Sequence, residues 1–210
     1  MKVLALELST ARGSLAWLNE HESPIVREWP NDRKHSGKFF ENLHDLTGAV
    51  GPAEKIIVGL GPGSYAGTRI AVAAAVGLQA AWNVQLIGYA SICAVTSGDY
   101  CIIGDARRQS FFFARIHQNE LEEGPDLFDE AGLKQKLDKV RKDMPIFASE
   151  DLPQFEGVAT RYPSALILAN VANDSNRIFT RPPLEPIYLR EPHITKPRHD
   201  AAVFADRKRT

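Results

Sequence analysis

Lys55–Trp82 reads KIIVGLGPGSYAGTRIAVAAAVGLQAAW. It contains a short apolar run, a glycine-rich turn and a long stretch of small residues. Ile56–Leu60 is β-branched and apolar, the signature of a buried strand. Gly59, Gly61 and Gly63 tolerate positive φ, and Pro62 stiffens the turn. A helix is expected to start near Ser64–Thr68, where Ser and Thr are good caps, and to run to Trp82. Beyond Arg69 it carries Ala71, Ala73, Ala74, Ala75, Gly77, Ala80 and Ala81. Side chains this small let another backbone come close. A strand, a glycine turn and a helix N-terminus together form the layout that receives anions.

Two nucleotide motifs can be tested against this turn. A Walker A loop ends in Gly-Lys-Ser/Thr. Here Gly67 is followed by Thr68 and Arg69, and no lysine occurs between Lys55 and Lys134. The dinucleotide fingerprint G-x-G-x-x-G/A is met in form by Gly61, Gly63 and Ala66. It also needs an acid about 20 residues on to hold the ribose. No Asp or Glu lies between Glu54 and Asp99, so a Rossmann site is excluded. Two readings of Gly61, Gly63, Ser64 and Gly67 remain: a phosphate-binding turn, or a tight strand-to-helix turn without a ligand.

Outward from this segment the chain reads as mixed α/β. Strands are expected at Val3–Leu8, Ser14–Leu18, Ile25–Trp29 and Leu86–Gly88, with a helix at Ser36–Leu46 and a short one at Ser91–Ser97. A second series follows: strands at Tyr100–Gly104 and Gln109–His117, a helix at Leu127–Val140, a strand at Pro145–Ala148 and a helix at Ala165–Ala172. The strand–turn–strand openings at Met1 and Tyr100 suggest two related lobes. The expected division is 1–98, a smaller lobe at 99–197, and a basic tail at 198–210. With 210 residues and a net charge of −1, the chain has room for two small lobes and no global field for nucleic acid or membrane. Cys93 and Cys101 fit neither a zinc pattern nor a disulfide framework and read as reduced thiols. No run reaches transmembrane length, which points to the cytoplasm.

GLGPGSYAGTRIAVAAAVGLQAA closely resembles the GxGPGSFTGxRIGxxxAxGLA segment of the TsaB/YeaZ proteins. Other pieces agree in order. Met1–Leu18 (MKVLALELSTARGSLAWL) resembles ILAIDTSxxxxSVAL, and His35–Ser36 with the helix after it resembles HSExLLP. Ile103–Ile116 (IGDARRQSFFFARI) resembles IDARxxEVYxAxY, and Pro186–Arg190 (PIYLR) resembles PxYLR. The resemblance implies a two-lobed fold of the actin-like and Hsp70-like ATPases (ribonuclease H-like), with a reduced second lobe. It also implies a non-catalytic role: such proteins support TsaD, which makes threonylcarbamoyl-adenosine next to the tRNA anticodon. TsaE, an ATPase, is the further implied partner, with ATP or ADP at the seam with TsaD. Homodimers and an indirect role for tRNA are implied too.

The chemistry of this chain fits that role through what it lacks. The family's Asp and Thr in the first turn are replaced by Glu7 and Leu8. The extra methylene moves the carboxylate by about 1 Å, enough to spoil metal or water placement. Leu8 offers a phosphate nothing. A buried or turn-capping role is expected for Glu7, and a local pair for Asp105 with Arg107. The H-x-x-x-H metal pair of TsaD has no match, because Phe39 stands four residues after His35 and His44 lies on another face. No H-E-x-x-H, G-x-S-x-G elbow or spaced Cys–His pair supports a peptidase. No catalytic residue and no metal site are therefore expected. The resemblance places the partner surface on the helices Ser36–Leu46 and Thr68–Trp82, with Phe39, Phe40, Leu43, Ile70, Ala73, Ala74 and Gly77 as interface residues. A nucleotide-binding enzyme of the same superfamily is the rival reading, and a peptidase the third.

Overall fold

The structure, a computed structural model, describes residues 1–31, 36–141 and 143–190. It contains two five-stranded sheets of the same topology. In the first, β1 (Lys2–Glu7), β2 (Arg12–Asn19) and β3 (Ile25–Pro30) form an antiparallel meander. β4 (Lys55–Gly59) then adds parallel to β1, and β5 (Gln85–Tyr89) parallel to β4, giving the order β3-β2-β1-β4-β5. The second sheet repeats this with β6 (Tyr100–Asp105), β7 (Phe111–His117), β8 (Glu120–Phe128), β9 (Ile146–Ala148) and β10 (Val158–Thr160). β6, β7 and β8 are the antiparallel meander, and β9 and β10 the parallel additions. This duplicated order is the two-lobed actin-like architecture expected from the sequence.

Parallel additions need crossovers, usually helices. The first sheet has two: α1 (Gly37–Val50) before β4 and α2 (Tyr65–Trp82) before β5. The second has only α3 (Glu130–Val140) before β9, and β9 reaches β10 without a helix. The second lobe is reduced in this sense. The next helix, α4 (Ala165–Val171), lies between the two sheets.

Three apolar layers hold these elements together. Leu4, Leu6, Leu15, Trp17, Ile56 and Val58 face α1 and α2 on the outer side of the first sheet. Val3, Ala5, Ala16 and Ile57 face inward and meet Tyr100, Ile102, Phe112 and Ala114 of the second sheet across α4 and the 3₁₀ turn Ser91–Ala94. Cys101, Ile103, Phe111 and Phe113 pack on Leu133 and Leu137 of α3. Strands β1 and β4 are thus apolar on both faces, as central parallel strands are. Lys55 donates to the carbonyl of Ala172 at 2.9 Å, and Ala165 N–H donates to Ser14 Oγ at 2.9 Å, so α4 is fastened to the first sheet at both ends.

Residues 177–190 run across both lobes. Arg177 donates to Gln118 O at 2.6 Å in the second lobe, and Thr180 pairs with Gly88 of β5. Ile187 N–H donates to Leu60 O at 2.7 Å in the first lobe, and Arg190 Nη2 to Ser110 Oγ at 2.6 Å in the second.

One sequence expectation is corrected. Leu127 and Phe128, expected to open a helix, end β8, an edge strand, and helix α3 begins only at Glu130 with Asp129 as its cap, Oδ1 accepting from Gly132 N–H at 2.7 Å. A two-residue hairpin turn makes this possible: Gln118 and Asn119 both hold positive φ, 49° and 64°, as a tight hairpin turn requires. Strand β10, three residues long, was not expected. His35 and the basic tail 198–210 lie outside the described residues.

Candidate functional site

Strand β1 ends in the first turn at Glu7, fully buried and opposite Ser14 in register. Its Oε1 accepts from Ser9 N–H at 2.6 Å, so it closes its own turn. Burial holds the carboxyl above its ordinary value, and hydrogen bonding from Ser9 and Ser91 offsets part of the rise. The hydroxyls of Ser9 and Ser91 are thus the polar neighbours of the buried carboxyl. A Cβ at Gly59 would run into Glu7 Oε2 and Ser91 Oγ, so the carboxylate is sealed against β4. No cluster of metal-ligating side chains occurs among the described residues.

The glycine turn is built for close approach within the chain. Ser64 caps α2, its Oγ accepting from Gly67 N–H at 3.2 Å. Ser64 N–H donates to Ser9 O at 2.5 Å, and Gly61 N–H to Ser91 Oγ at 2.9 Å. A Cβ at Gly63 would collide with Ser9 O, and one at Gly67 with Leu8 O. Gly61 sits at φ 89°, a value that favours glycine. The amides of Gly61, Ser64 and Gly67 are therefore engaged within the protein. Gly63 and Ser64 also line the cleft between the lobes.

The first turn, the glycine turn and residues 187–190 enclose a cleft between the lobes, of ≈ 310 Å³. Its far wall is the second turn, after β6. There Arg107 Nη1 pairs with Asp105 Oδ2 at 3.0 Å and Asp105 N–H donates to Glu150 Oε1 at 2.7 Å. The expected local pair of Asp105 with Arg107 is thus present. Arg107, Arg108 and Gln109 all have positive φ, between 54° and 65°.

Helices α1 and α2 each turn one side to the first sheet. Phe39 and Leu43 point inward and are 1 % and 6 % exposed. They anchor α1 in its own lobe and give a partner no free surface, which corrects their placement at an interface. Phe40, on the other side of α1, is 50 % exposed. On α2, Gly67, Thr68, Ala71 and Ala75 are buried. Ile70 and Ala74 are half-buried, while Ala73 and Gly77 face outward with Tyr65, Arg69, Val76 and Ala80. Arg69 stacks on Tyr65 at 4.0 Å and its Nε donates to Tyr188 Oη at 2.9 Å. Tyr65 and Val76 continue the small-residue segment and were open to a reading of helical spacing. Tyr188 meets α2 from 119 positions away, a contact no local pattern signals.

A two-lobed fold with paired turns, the first closed by a buried carboxyl, defines the class: a protein of actin-like fold. The model of the family described as TsaD, tRNA N6-adenosine threonylcarbamoyltransferase, matches residues 38–173, and the chain belongs to that family. The fold is similar to that of YeaZ from Pseudomonas aeruginosa, with a TM-score of 0.65 and 18 % identity over 82 % of this chain and 91 % of that one. It is equally similar to a Pseudomonas aeruginosa protein described as having similarity to peptidase YEAZ. There the TM-score is 0.65 and the identity 21 %, over 90 % of this chain and 99 % of that one. The resemblance to TsaB/YeaZ proteins is thus met in family and in fold. Among curated proteins, one of Mycobacterium tuberculosis strain H37Rv, described as uncharacterized, is 27 % identical over 122 residues, covering 54 % of this chain and 58 % of the relative. The chain thus matches little more than half the length of that relative. A Mycobacterium leprae protein is 31 % identical over 86 residues, 40 % of this chain and 24 % of its own length. Among the described residues no helix is long and apolar enough to cross a membrane.

Proposed function

We propose that this chain is a non-catalytic TsaB-type subunit that binds and supports a TsaD-type transferase in threonylcarbamoylation of adenosine beside the tRNA anticodon. The observation that carries this reading is the pairing of a sealed Glu7 with an outward α2 face that lacks any carboxylate and is mostly small residues. The resemblance gives the ATPases of this fold an Asp in the first turn, where this chain has the buried Glu7; a partner needs a face where another helix can approach closely. Phe40, Tyr65 and Val76, each about half exposed, supply anchors around that approach. A TsaE-type ATPase is the second protein of the assembly, ATP or ADP sits at the seam with TsaD, and tRNA is engaged through TsaD. Without TsaD the same face pairs two copies of the chain.

Co-purification with the host TsaD tests the docking. The wild-type chain should retain TsaD, and Val76→Asp should lose it while remaining folded, because Val76 faces outward. Retention of TsaD by Val76→Asp and Phe40→Asp alike would sink the proposed face. Calorimetry of the isolated chain with ATP addresses the rival enzyme: tight binding with turnover would favour it.

A further inference from the structure

Residues 90–99 join β5 of the first sheet to β6 of the second, so any change in the angle between the lobes has to bend them. Gly98, at φ 87° with nothing within 4 Å of an added Cβ, is the kind of residue on which such a joint turns. The carbonyls before it are nonetheless taken one by one by donors beyond it in the chain. Ile92 O accepts from Tyr100 Oη at 2.8 Å, and Val95 N–H donates back to that Oη at 3.2 Å. Cys93 O and Thr96 O both accept from Asn119 Nδ2, at 2.8 and 2.7 Å. Ala94 O accepts from Ser164 N–H at 2.9 Å, and Thr96 Oγ1 from Arg161 Nη1 at 2.7 Å. A joint that turns freely leaves its backbone groups to water; here each change of φ or ψ breaks bonds to the rest of the protein.

These bonds converge on the turn Gln118–Asn119 between β7 and β8. Besides donating to two linker carbonyls, Asn119 accepts from Tyr89 Oη of β5 through its own carbonyl, at 2.7 Å. Gln118 N–H donates to Asp99 Oδ1 at 3.1 Å, and Gln118 O accepts from Arg177 Nη2 at 2.6 Å. Arg177 opens the segment that runs across both lobes; its side chain is mostly buried and paired with Asp174 at 3.0 Å. One hairpin turn of the second lobe therefore grips both the linker and the crossing segment. Asn119 holds φ 64°, a conformation that Asn tolerates better than most residues with a side chain.

We propose that the turn Gln118–Asn119 is a clamp that holds the two lobes at one angle, with the Asn119 amide as its central contact. The interlobe cleft lies at the other end of β7, where Phe112 lines it. Rotation at the turn would open or close that cleft, and the clamp suppresses it. The chain thus meets whatever binds it as one preorganised body. The clamp rests on contacts between the lobes and does not depend on docking to TsaD.

The test uses the full chain with spin labels on Arg27→Cys of β3 and Asp138→Cys of α3, both exposed positions. Cys93 and Cys101 are buried and stay unlabelled. Dilution with unlabelled chain confines the reading to distances within one molecule. With the clamp intact, the interlobe distance should form a single narrow peak. Asn119→Asp keeps the size of the side chain and its tolerance of positive φ but loses both donors. It should widen the peak and speed exchange of the Ser164 amide about tenfold. Arg177→Gln should widen the peak by less. Phe39→Ala, which destabilises the first lobe away from the clamp, should leave the width unchanged. A broad or double peak with the clamp intact would overturn the proposal, whether or not Asn119→Asp folds. An unchanged width in a folded Asn119→Asp, or equal widening by Phe39→Ala, would overturn it too. None of these outcomes bears on docking to TsaD, which is read by co-purification.

Discussion

At the scale of single residues, Glu7 is a carboxyl enclosed by its own turn. It closes its turn through Ser9 N–H and lies fully buried, so its protonated form is favoured in the folded state. A raised folded-state value means that the native chain binds more protons than the unfolded chain. Stability is then greatest in acid and falls as pH rises from the ordinary carboxylate range, 4.5, through the folded value. Glu7→Gln removes this dependence. It should raise stability at pH 7–8 by about 1 kcal/mol and lose that advantage towards pH 4. Urea midpoints at the two pH values check this. A wild-type midpoint that rises with pH because of Glu7 would contradict it. Burial also pushes the Cys93 thiol up to about 12 and Cys101 to about 11. Both should therefore resist maleimide at neutral pH until the chain unfolds. The sequence did make Glu7's capping role and the Asp105–Arg107 pair legible, since both lie within two residues of their partners. Arg69 with Tyr188, and Arg190 with Ser110, were not legible, because only the fold brings them together.

At the scale of elements, α1 and α2 divide their residues between a core and a surface. The sequence located both helices, since Phe39, Leu43 and Leu46 recur at helical spacing and Ser64 is a ready cap. It does not say which side of each helix the sheet takes, and the family resemblance alone puts Phe39 and Leu43 at a partner surface. Phe39→Ala should therefore act on stability, by about 3–5 kcal/mol in a denaturation curve, through the cavity it leaves. Phe40→Ala should be close to neutral in the same curve, and a large loss there would contradict the assigned sides. The glycine turn gives a sharper test of packing. Gly67→Ala drives a methyl into Leu8 O and should cost about 2–3 kcal/mol, whereas Gly77→Ala meets nothing within 4 Å and should be tolerated or stabilising. Strand β8 escaped the sequence reading because its acids suit an edge as well as a helix, and because Gln118-Asn119 is not a strong turn signal.

At the scale of the whole molecule, two sheets of one order enclose a cleft that residues 177–190 cross and fasten to both lobes. The repeated strand order was legible in outline from the two strand–turn–strand openings. The fastening was not, because it depends on backbone contacts such as Gly88 with Thr180 and Leu60 with Ile187. A first turn sealed from solvent and an exposed α2 face together support the proposal that this chain acts through a partner. Reconstitution measures that most directly. The host TsaD and TsaE are supplied with unmodified tRNA and threonylcarbamoyl-AMP, with and without this chain, and threonylcarbamoyl-adenosine is quantified. Modification should require the chain, survive Glu7→Gln and fail with Val76→Asp. Full modification by TsaD and TsaE in its absence would contradict the account.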